Sequence, residues 1–105
     1  MQKYRNKKVV YNGLKFDSQA EFRYFLYYKS KEDNGEIGNL RLQVPFEIVI
    51  NGKKICKYIA DFTYMDKDGL HVVDVKSPIT EKDKVFRLKK KLVEAMHNVT
   101  IKIVK

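Results

Sequence analysis

The stretch ICKYIADFTYMDKDGLHVVDVK, residues 55–76, predicts two antiparallel strands joined by a tight turn. Strand-forming side chains run from Ile55 to Tyr64 and again from Leu70 to Lys76, and turn-forming residues fill Met65–Gly69 between them. A loop that is symmetric about Lys67-Asp68 sets the register of the hairpin. The facing pairs are then Met65 and Leu70, Thr63 and Val72, and Asp61 and Asp74.

This register brings two carboxylates together. Directly opposed side chains share a face of the sheet with Cβ atoms about 4.5–5.5 Å apart, so Asp61 and Asp74 repel each other. We expect a sheet to have no structural reason to keep such a pair, and a hard divalent cation between them removes the repulsion. Lys76 lies two residues after Asp74 and therefore on the same face. A metal and a lysine suit phosphodiester hydrolysis; the alternative is an ion pair of Lys76 with either aspartate.

The elements on either side of this hairpin predict a mixed α/β fold. Leu42–Ile50 predicts a preceding strand in which Pro45 favours an edge position. A helix from about residue 80 to 96 has the apolar stripe Val85, Leu88, Leu92 and Met96, and it is followed by a stop at Asn98 and a strand at 100–104.

The N-terminal part of the chain predicts a hairpin and the first helix. Asn12-Gly13 is a tight-turn signal within a basic arm of residues 1–16. Ser18 followed by Glu21 is a capping-box pattern for a helix that ends before Asn34. The core order is α-β-β-β-α-β: an α/β (α+β) fold with one mixed sheet flanked by helices. We expect a single domain over residues 1–105.

The charge of the chain predicts a polyanionic partner. There are 22 Lys and Arg against 13 Asp and Glu, a formal net charge of +9. This excess favours nucleic acid. We expect no membrane association, because no apolar stretch approaches the roughly 18 residues that a spanning helix needs. The single cysteine, Cys56, excludes an internal disulfide and indicates a reduced, cytoplasmic setting.

The cations fall into two groups, and we expect both to contact DNA phosphates rather than base edges. We also expect the N-terminus of the second long helix to lie beside Lys76 and to help seat phosphates. The predicted DNA-binding residues are Lys82, Lys84, Arg87, Lys89, Lys90 and Lys91 in that helix and Lys3, Arg5, Lys7 and Lys8 in the N-terminal arm.

Asp61, the twelve residues after it and Asp74-Val75-Lys76 together resemble the motif of the PD-(D/E)XK nucleases. Glu21 resembles the acidic residue that this family often supplies from its first helix, and the element order matches the family's restriction-endonuclease-like core. The likeness is greatest to small phage-encoded members and to the branch that resolves Holliday junctions. One departure is Ala60, where the family's nominal motif has proline before the first aspartate.

The resemblance implies a set of metal ligands. Asp61, Asp74 and the backbone carbonyl of Val75 would hold Mg²⁺, with Mn²⁺ as a substitute, and Glu21 would complete the site directly or through water. Glu21 has the alternative role of capping its helix with Ser18. Gln43 is a weaker catalytic candidate, since its amide could lie beside the scissile phosphate; the alternative is an exposed polar residue at a strand end.

The resulting hypothesis is a Mg²⁺-dependent endodeoxyribonuclease that acts on branched or structured DNA during phage or mobile-element recombination. A homodimer with two active sites would suit the two-fold symmetry of a four-way junction. Two alternatives use the same basic surface without cleavage. One is a DNA-binding module or accessory recombination or replication protein of the same fold, and the other is an RNA-binding accessory protein.

Overall fold

Residues 8–105 are described by a computed structural model, in which strands precede, separate and follow the helices. The predicted DNA contacts Lys3, Arg5 and Lys7 lie outside the described residues. Within residues 8–105, no helix is long and apolar enough to cross a membrane. The elements are β1 (Val9–Tyr11), β2 (Leu14–Phe16), α1 (Gln19–Asp33), β3 (Gly38–Ile50), β4 (Lys53–Asp66), β5 (Gly69–Val75), α2 (Pro78–Glu81), α3 (Lys84–His97) and β6 (Ile101–Val104).

Four of the strands form one mixed sheet in the order β3-β4-β5-β6. β3, β4 and β5 are antiparallel to one another, whereas β6 runs parallel to β5. The prediction of a mixed sheet with flanking helices is confirmed. Pro45 lies on β3, an edge strand, as its missing N–H donor predicts.

The register of the β4–β5 hairpin is the predicted one over most of its length. Met65 pairs with Leu70 and Thr63 with Val72, around a turn at residues 67 and 68. The last ladder pair before the strands separate is Phe62–Val73. The next residues on the two strands are the two predicted aspartates, so the turn places them at the point where backbone pairing stops.

Each face of the sheet is covered by a helix. α1 packs on one face through Phe25 and Tyr28, in a cluster that includes Phe62. α3 packs on the opposite face through Phe86 and Val93. The hairpin β1–β2 adds the buried Phe16 to the α1 cluster. The chain is therefore built in three layers, with the ends of several elements meeting at the edges of the sheet.

Strands β3 and β4 exchange faces part-way along the sheet. Leu42 packs against the α1 cluster, whereas Phe46, four residues later, packs against the α3 cluster. On the neighbouring strand Ala60 belongs to the α3 cluster and Phe62 to the α1 cluster. A regular strand keeps residues of equal parity on one face, so both strands must rotate between these positions.

The rotation is centred on Gln43 and Asp61. Gln43 has a left-handed backbone with φ of 53°, a conformation that costs a residue with a Cβ about 1 kcal/mol or more. The pairing of β3 with β4 continues without a shift on both sides of it, so Gln43 lies opposite Asp61. β5 keeps its regular alternation, since Val73 and Val75 pack on the α1 side and Val72 on the α3 side.

The prediction of one continuous second helix is wrong. The chain forms the short helix α2 and then restarts as α3, because Asp83 caps the new helix by accepting hydrogen bonds from the N–H groups of Val85 and Phe86 at 2.8 and 3.4 Å. An aspartate whose side chain bonds to the backbone favours a helix start over a helix interior. The element that follows Lys76 is therefore α2, not the N-terminus of the long basic helix.

The predicted apolar stripe of this helix is also largely wrong. Val85 and Leu88 are 62% and 59% exposed. The buried line runs instead through Phe86 and Val93, and Leu92 is half-buried beside it. Phe86 is the largest apolar side chain of α3, and its burial in the α3 cluster fixes the rotation of the helix. The predicted stop at Asn98 is confirmed by its left-handed backbone.

Candidate functional site

Asp61 and Asp74 lie together where β4 and β5 separate, and each binds the backbone of the other strand. Asp74 Oδ1 accepts a hydrogen bond from Asp61 N at 3.0 Å. Asp61 Oδ2 accepts one from Val75 N at 2.9 Å. The two carboxylates thus replace the carbonyl acceptors that a continued ladder would supply. The expectation that a sheet has no structural use for this pair is therefore wrong, although the predicted juxtaposition is present.

Asp74 is fully buried, with 0% exposure, on the α3 side of the sheet. Its Oδ2 atom accepts a hydrogen bond from the Tyr58 hydroxyl and lies 3.7 Å from Lys76 Nζ. Burial raises the pKa of the Asp74 carboxyl well above its ordinary range, and the negative charge of Asp61 raises it further. Asp74 is therefore a carboxyl whose ionised form is costly unless positive charge is close.

Lys76 supplies positive charge next to Asp74. Its ammonium lies over the ring of Phe86, 5.0 Å from the centroid, and its side chain is only 22% exposed. The predicted position of Lys76 on the same face as Asp74 is confirmed by the contact between them. The stem of Lys76 is thus held between the sheet and α3, with its head at Asp74.

Glu21 enters the site from α1 on the opposite face of the sheet. The Ser18 hydroxyl caps the helix by accepting a hydrogen bond from Glu21 N at 3.1 Å, so the predicted cap is present. The Glu21 carboxylate accepts a hydrogen bond from Gln43 Nε2 at 3.4 Å. In the described residues, the reciprocal bond of a capping box, from Ser18 N to this carboxylate, is absent. Glu21 therefore serves the cap through its backbone N–H, while its carboxylate is directed to the candidate site.

The electrostatics of Glu21 connect it to the two aspartates. The residue is 6% exposed. Burial raises the pKa of the Glu21 carboxyl to about 7, and the charges of Asp61, Asp17 and Asp74 act in the same direction. A nearby cation would relieve all of these repulsions at once.

Gln43 joins Glu21 to Asp61. Its Nε2 lies 3.4 Å from Glu21 Oε1 and 3.3 Å from Asp61 Oδ1. An amide nitrogen has two N–H donors, one for each of these carboxylates. The prediction placed Gln43 at the beginning of a strand, but β3 begins at Gly38, and Gln43 lies inside it at the rotation point. The left-handed backbone of Gln43 therefore aims its amide at the carboxylates.

A cavity of about 690 Å³ opens over Glu21 and Asp61. It lies between the first turn of α1, the end of β5 and the short helix α2. Among the residues that line it are Glu21, Asp61, Val75, Lys76, Arg23 and Lys105. Carboxylates therefore form part of the floor of the cavity, and cations stand around them.

The donor set fits a hard divalent cation by chemical type. Mg²⁺ prefers carboxylate and carbonyl oxygens, and a carboxylate oxygen with one hydrogen bond retains a further lone pair. Asp61, Asp74, the carbonyl of Val75 and Glu21 would hold the ion. Within residues 8–105, however, no three side chains of Asp, Glu, His or Cys are close enough to form a ready metal centre. Backbone and amide hydrogen bonds hold the carboxylates in their present positions.

A family model described as "Protein of unknown function (DUF1064)" matches residues 1–105. The chain belongs to this family. No curated protein matches the chain. Membership in the DUF1064 family carries no activity with it, so the function of the site must be argued from its geometry.

The predicted DNA-binding residues of this DUF1064 protein differ in their surroundings. Most of those on α3 and before it are exposed, but Lys89 and Lys90 are half-buried. Lys90 is paired with Glu94 at 3.0 Å, and Lys89 Nζ lies 3.5 Å from the carbonyl of Lys57. The exposed members are Lys8, Lys82, Lys84, Arg87 and Lys91.

Tyr58 is a site residue that the sequence did not single out. It is buried in the α3 cluster and its hydroxyl donates to Asp74. In a regular hairpin Asp61 lies opposite Asp74, and Tyr58 lies three positions from Asp61 along β4. An odd separation puts Tyr58 on the other face of the sheet, so the sequence gives no reason to pair Tyr58 with Asp74. The rotation of β4 at Asp61 brings them together, and the only sequence signal is a tyrosine among small apolar strand residues, which must find a partner for its hydroxyl when buried.

Proposed function

We propose that this protein is a metal-dependent DNA endonuclease. The observation that carries the proposal is one cavity lined by Glu21, Asp61 and Lys76, with the buried Asp74 behind Asp61 and bonded to its backbone N–H. Two of these carboxyls have raised pKa values because they are buried close to other negative charges. Such a buried cluster is costly for folding, and cation-assisted chemistry accounts for that cost; the net charge of +9 favours an anionic substrate.

Each residue of the cluster has a distinct task in this proposal. Asp61 and Asp74, with Glu21 beside them, would bind Mg²⁺, which supplies charge neutralisation at the scissile phosphate when bound. The Lys76 ammonium donates hydrogen bonds to the phosphate oxygen on which negative charge increases. Tyr58 holds Asp74 in place, and Gln43 holds Asp61 and Glu21.

The order of the core elements supports this proposal. Without the N-terminal hairpin and the short α2, the elements run α1, β3, β4, β5, α3, β6, with β5 and β6 parallel. This is the order expected of a restriction-endonuclease-like core, which the sequence resemblance to PD-(D/E)XK nucleases implies. The aspartates lie near the end of β5 and beside it on β4.

Branched or otherwise structured DNA is the substrate in this proposal, and phage or mobile-element recombination inside the cell is its setting. Its support is the resemblance to junction-resolving enzymes and the exposed cations, which suit phosphate contacts. A homodimer would present two cavities to the two-fold symmetric junction.

A cleavage assay on defined DNA tests the proposal. Labelled linear, nicked and four-way-junction DNA is incubated with wild type, Asp74→Asn and Lys76→Ala in Mg²⁺, Mn²⁺ or chelator. We expect cleavage of the junction by wild type in either metal, and a rate lowered at least about 100-fold in Lys76→Ala. Binding of all three DNAs without metal-dependent cleavage would overturn the enzyme assignment, and cleavage unchanged in Asp74→Asn would overturn the site.

A DNA-binding module without cleavage is the second candidate. The observation that favours it is the set of hydrogen bonds from Asp61 N, Val75 N and Gln43 that already stabilises the carboxylates. In that case Mg²⁺ changes neither the stability of the fold nor the state of bound DNA.

A further inference from the structure

A second cavity lies along α1, away from Glu21, Asp61 and Asp74. It measures about 310 Å³ and is formed by the C-terminal half of α1, the end of β4 and the edge strand β6. Its aromatic lining residues are Tyr27, Tyr28 and Tyr64, its cations are Lys31 and Lys102, and its carboxylates are Glu36 and Asp66. We call this cavity the tyrosine pocket.

The tyrosine pocket is joined to the first cavity by one side of α1. Ala20, which lines the first cavity, is followed at intervals of four, three and four by Tyr24, Tyr27 and Lys31, and such residues form one stripe along a helix. Tyr24 faces the sheet edge, since its hydroxyl donates to the carbonyl of Lys105 at 3.1 Å. The two cavities therefore lie towards the two ends of this stripe, with the contact of Tyr24 with Lys105 between them.

Cations on β6 and just after it follow the same line. Lys105 lines the first cavity, where it is paired with Glu81, and Lys102 lines the tyrosine pocket. At a rise of about 1.5 Å per residue, Ala20 and Lys31 are about 16 Å apart along the helix. One DNA strand covers this distance with about five nucleotides at a spacing of about 3.4 Å.

The rings of the pocket offer a stacking surface. Tyr27 is 53% exposed, with its ring edge-on to Tyr28 at 5.2 Å and Lys31 Nζ 5.1 Å from its centroid. Tyr64 packs against two rings, Tyr28 at 5.1 Å and a nearly parallel His71 at 4.8 Å. The aromatic wall is therefore rigid, while one ring of it remains open to solvent.

The three kinds of group in the pocket match three features of a nucleotide: the face of its base, the polar edge of its base, and its phosphate. Aromatic rings stack on a base, carboxylates accept hydrogen bonds from exocyclic amines, and ammonium groups contact phosphates. A base within a duplex is stacked and paired and cannot enter such a pocket, whereas an unpaired base can.

We propose that the tyrosine pocket binds an unpaired nucleotide of the DNA strand whose phosphate occupies the first cavity. The inference rests on the proposed nuclease function for its choice of DNA as the polymer. Binding of this nucleotide makes the enzyme selective for branched or partly single-stranded DNA, because fully paired DNA leaves the pocket empty.

Equilibrium binding in chelator tests the pocket without any need for cleavage. A short fluorescein-labelled single strand and the matching blunt duplex are titrated with wild type, Tyr27→Phe and Tyr27→Leu. We expect Tyr27→Leu to bind the single strand about tenfold more weakly and Tyr27→Phe to match wild type, since only the first loses the ring. Duplex affinity should be equal for all three. Wild type should also bind an abasic oligonucleotide of the same length about tenfold more weakly than it binds the single strand with bases.

Leu26→Ala is the matched control, because Leu26 is an exposed apolar neighbour on α1 that does not line the pocket. Equal single-strand binding by Tyr27→Leu and wild type would overturn the inference, as would an equal loss for single strand and duplex. If DNA is cleaved but Tyr27→Leu binds normally, the pocket fails and the nuclease stands. If Tyr27→Leu loses single-strand binding but no DNA is cleaved, the pocket stands and the nuclease fails.

Discussion

The buried Glu21 carboxyl gives the fold a pH dependence that can be measured without a substrate. Burial raises the pKa of Glu21 from 4.5 to about 7. Between these values the folded state holds a proton that the unfolded state has released, so the free energy of unfolding falls as the pH rises. At about 1.4 kcal/mol per pH unit, this loss is at most about 3.5 kcal/mol and is complete by about pH 8. The raised pKa of Asp74 adds a loss of the same sign.

Urea unfolding of wild type and Glu21→Gln at pH 5 and pH 8, followed by circular dichroism, isolates the contribution of Glu21. Glutamine keeps the acceptor for Gln43 and cannot ionise, so the variant should lose less stability between the two pH values than wild type. The free energy of unfolding of Glu21→Gln should still fall somewhat between pH 5 and pH 8, because Asp74 keeps its raised pKa. Glu47→Gln, at an exposed residue of β3 paired with Lys54, should behave as wild type. An equal loss in wild type and Glu21→Gln would refute the reasoning.

Other substitutions test individual contacts. Tyr58→Phe removes the hydroxyl that donates to buried Asp74 and should lower the free energy of unfolding by about 1–3 kcal/mol in a denaturant titration; an unchanged midpoint contradicts the contact. In the same titration, Val93→Ala should lower the free energy of unfolding by about 2 kcal/mol and Leu88→Ala by less than about 0.5 kcal/mol. Equal losses would mean that α3 is rotated differently. Lys91→Gln should reduce the salt dependence of DNA binding, with log Kd against log salt changing its slope by about 0.9, whereas an unchanged slope removes Lys91 from the interface.

The sequence was sufficient to predict the features that depend on local backbone chemistry. The two-residue turn at Lys67-Asp68 sets the hairpin register, and through it the nearness of Asp61 and Asp74. The strand period then places Lys76 beside Asp74. Asn98 ends α3 with a left-handed backbone, as predicted.

The remaining features depend on tertiary packing, which has no period in the sequence. Residues 56, 58, 60, 62 and 64 of β4 are all apolar, so their pattern does not reveal that the strand rotates at Asp61. That rotation requires the left-handed backbone of Gln43 on the neighbouring strand, and it is what brings Tyr58 to Asp74. The apolar residues of α3 cover more of the helix than the sheet can bury, so which of them face the sheet is decided by the fit of Phe86.

The rate of DNA cleavage by Asp61→Asn under single-turnover conditions in Mg²⁺ tests the central claim most directly. Asparagine keeps an oxygen that can accept the hydrogen bond from Val75 N, so the fold should persist while the charge that would hold the cation is lost. We predict that wild type cleaves a four-way junction and that Asp61→Asn, with unchanged circular dichroism, is slower by at least about 100-fold. Equal rates for the two proteins, or no cleavage by wild type on any of the three DNAs, would contradict the account.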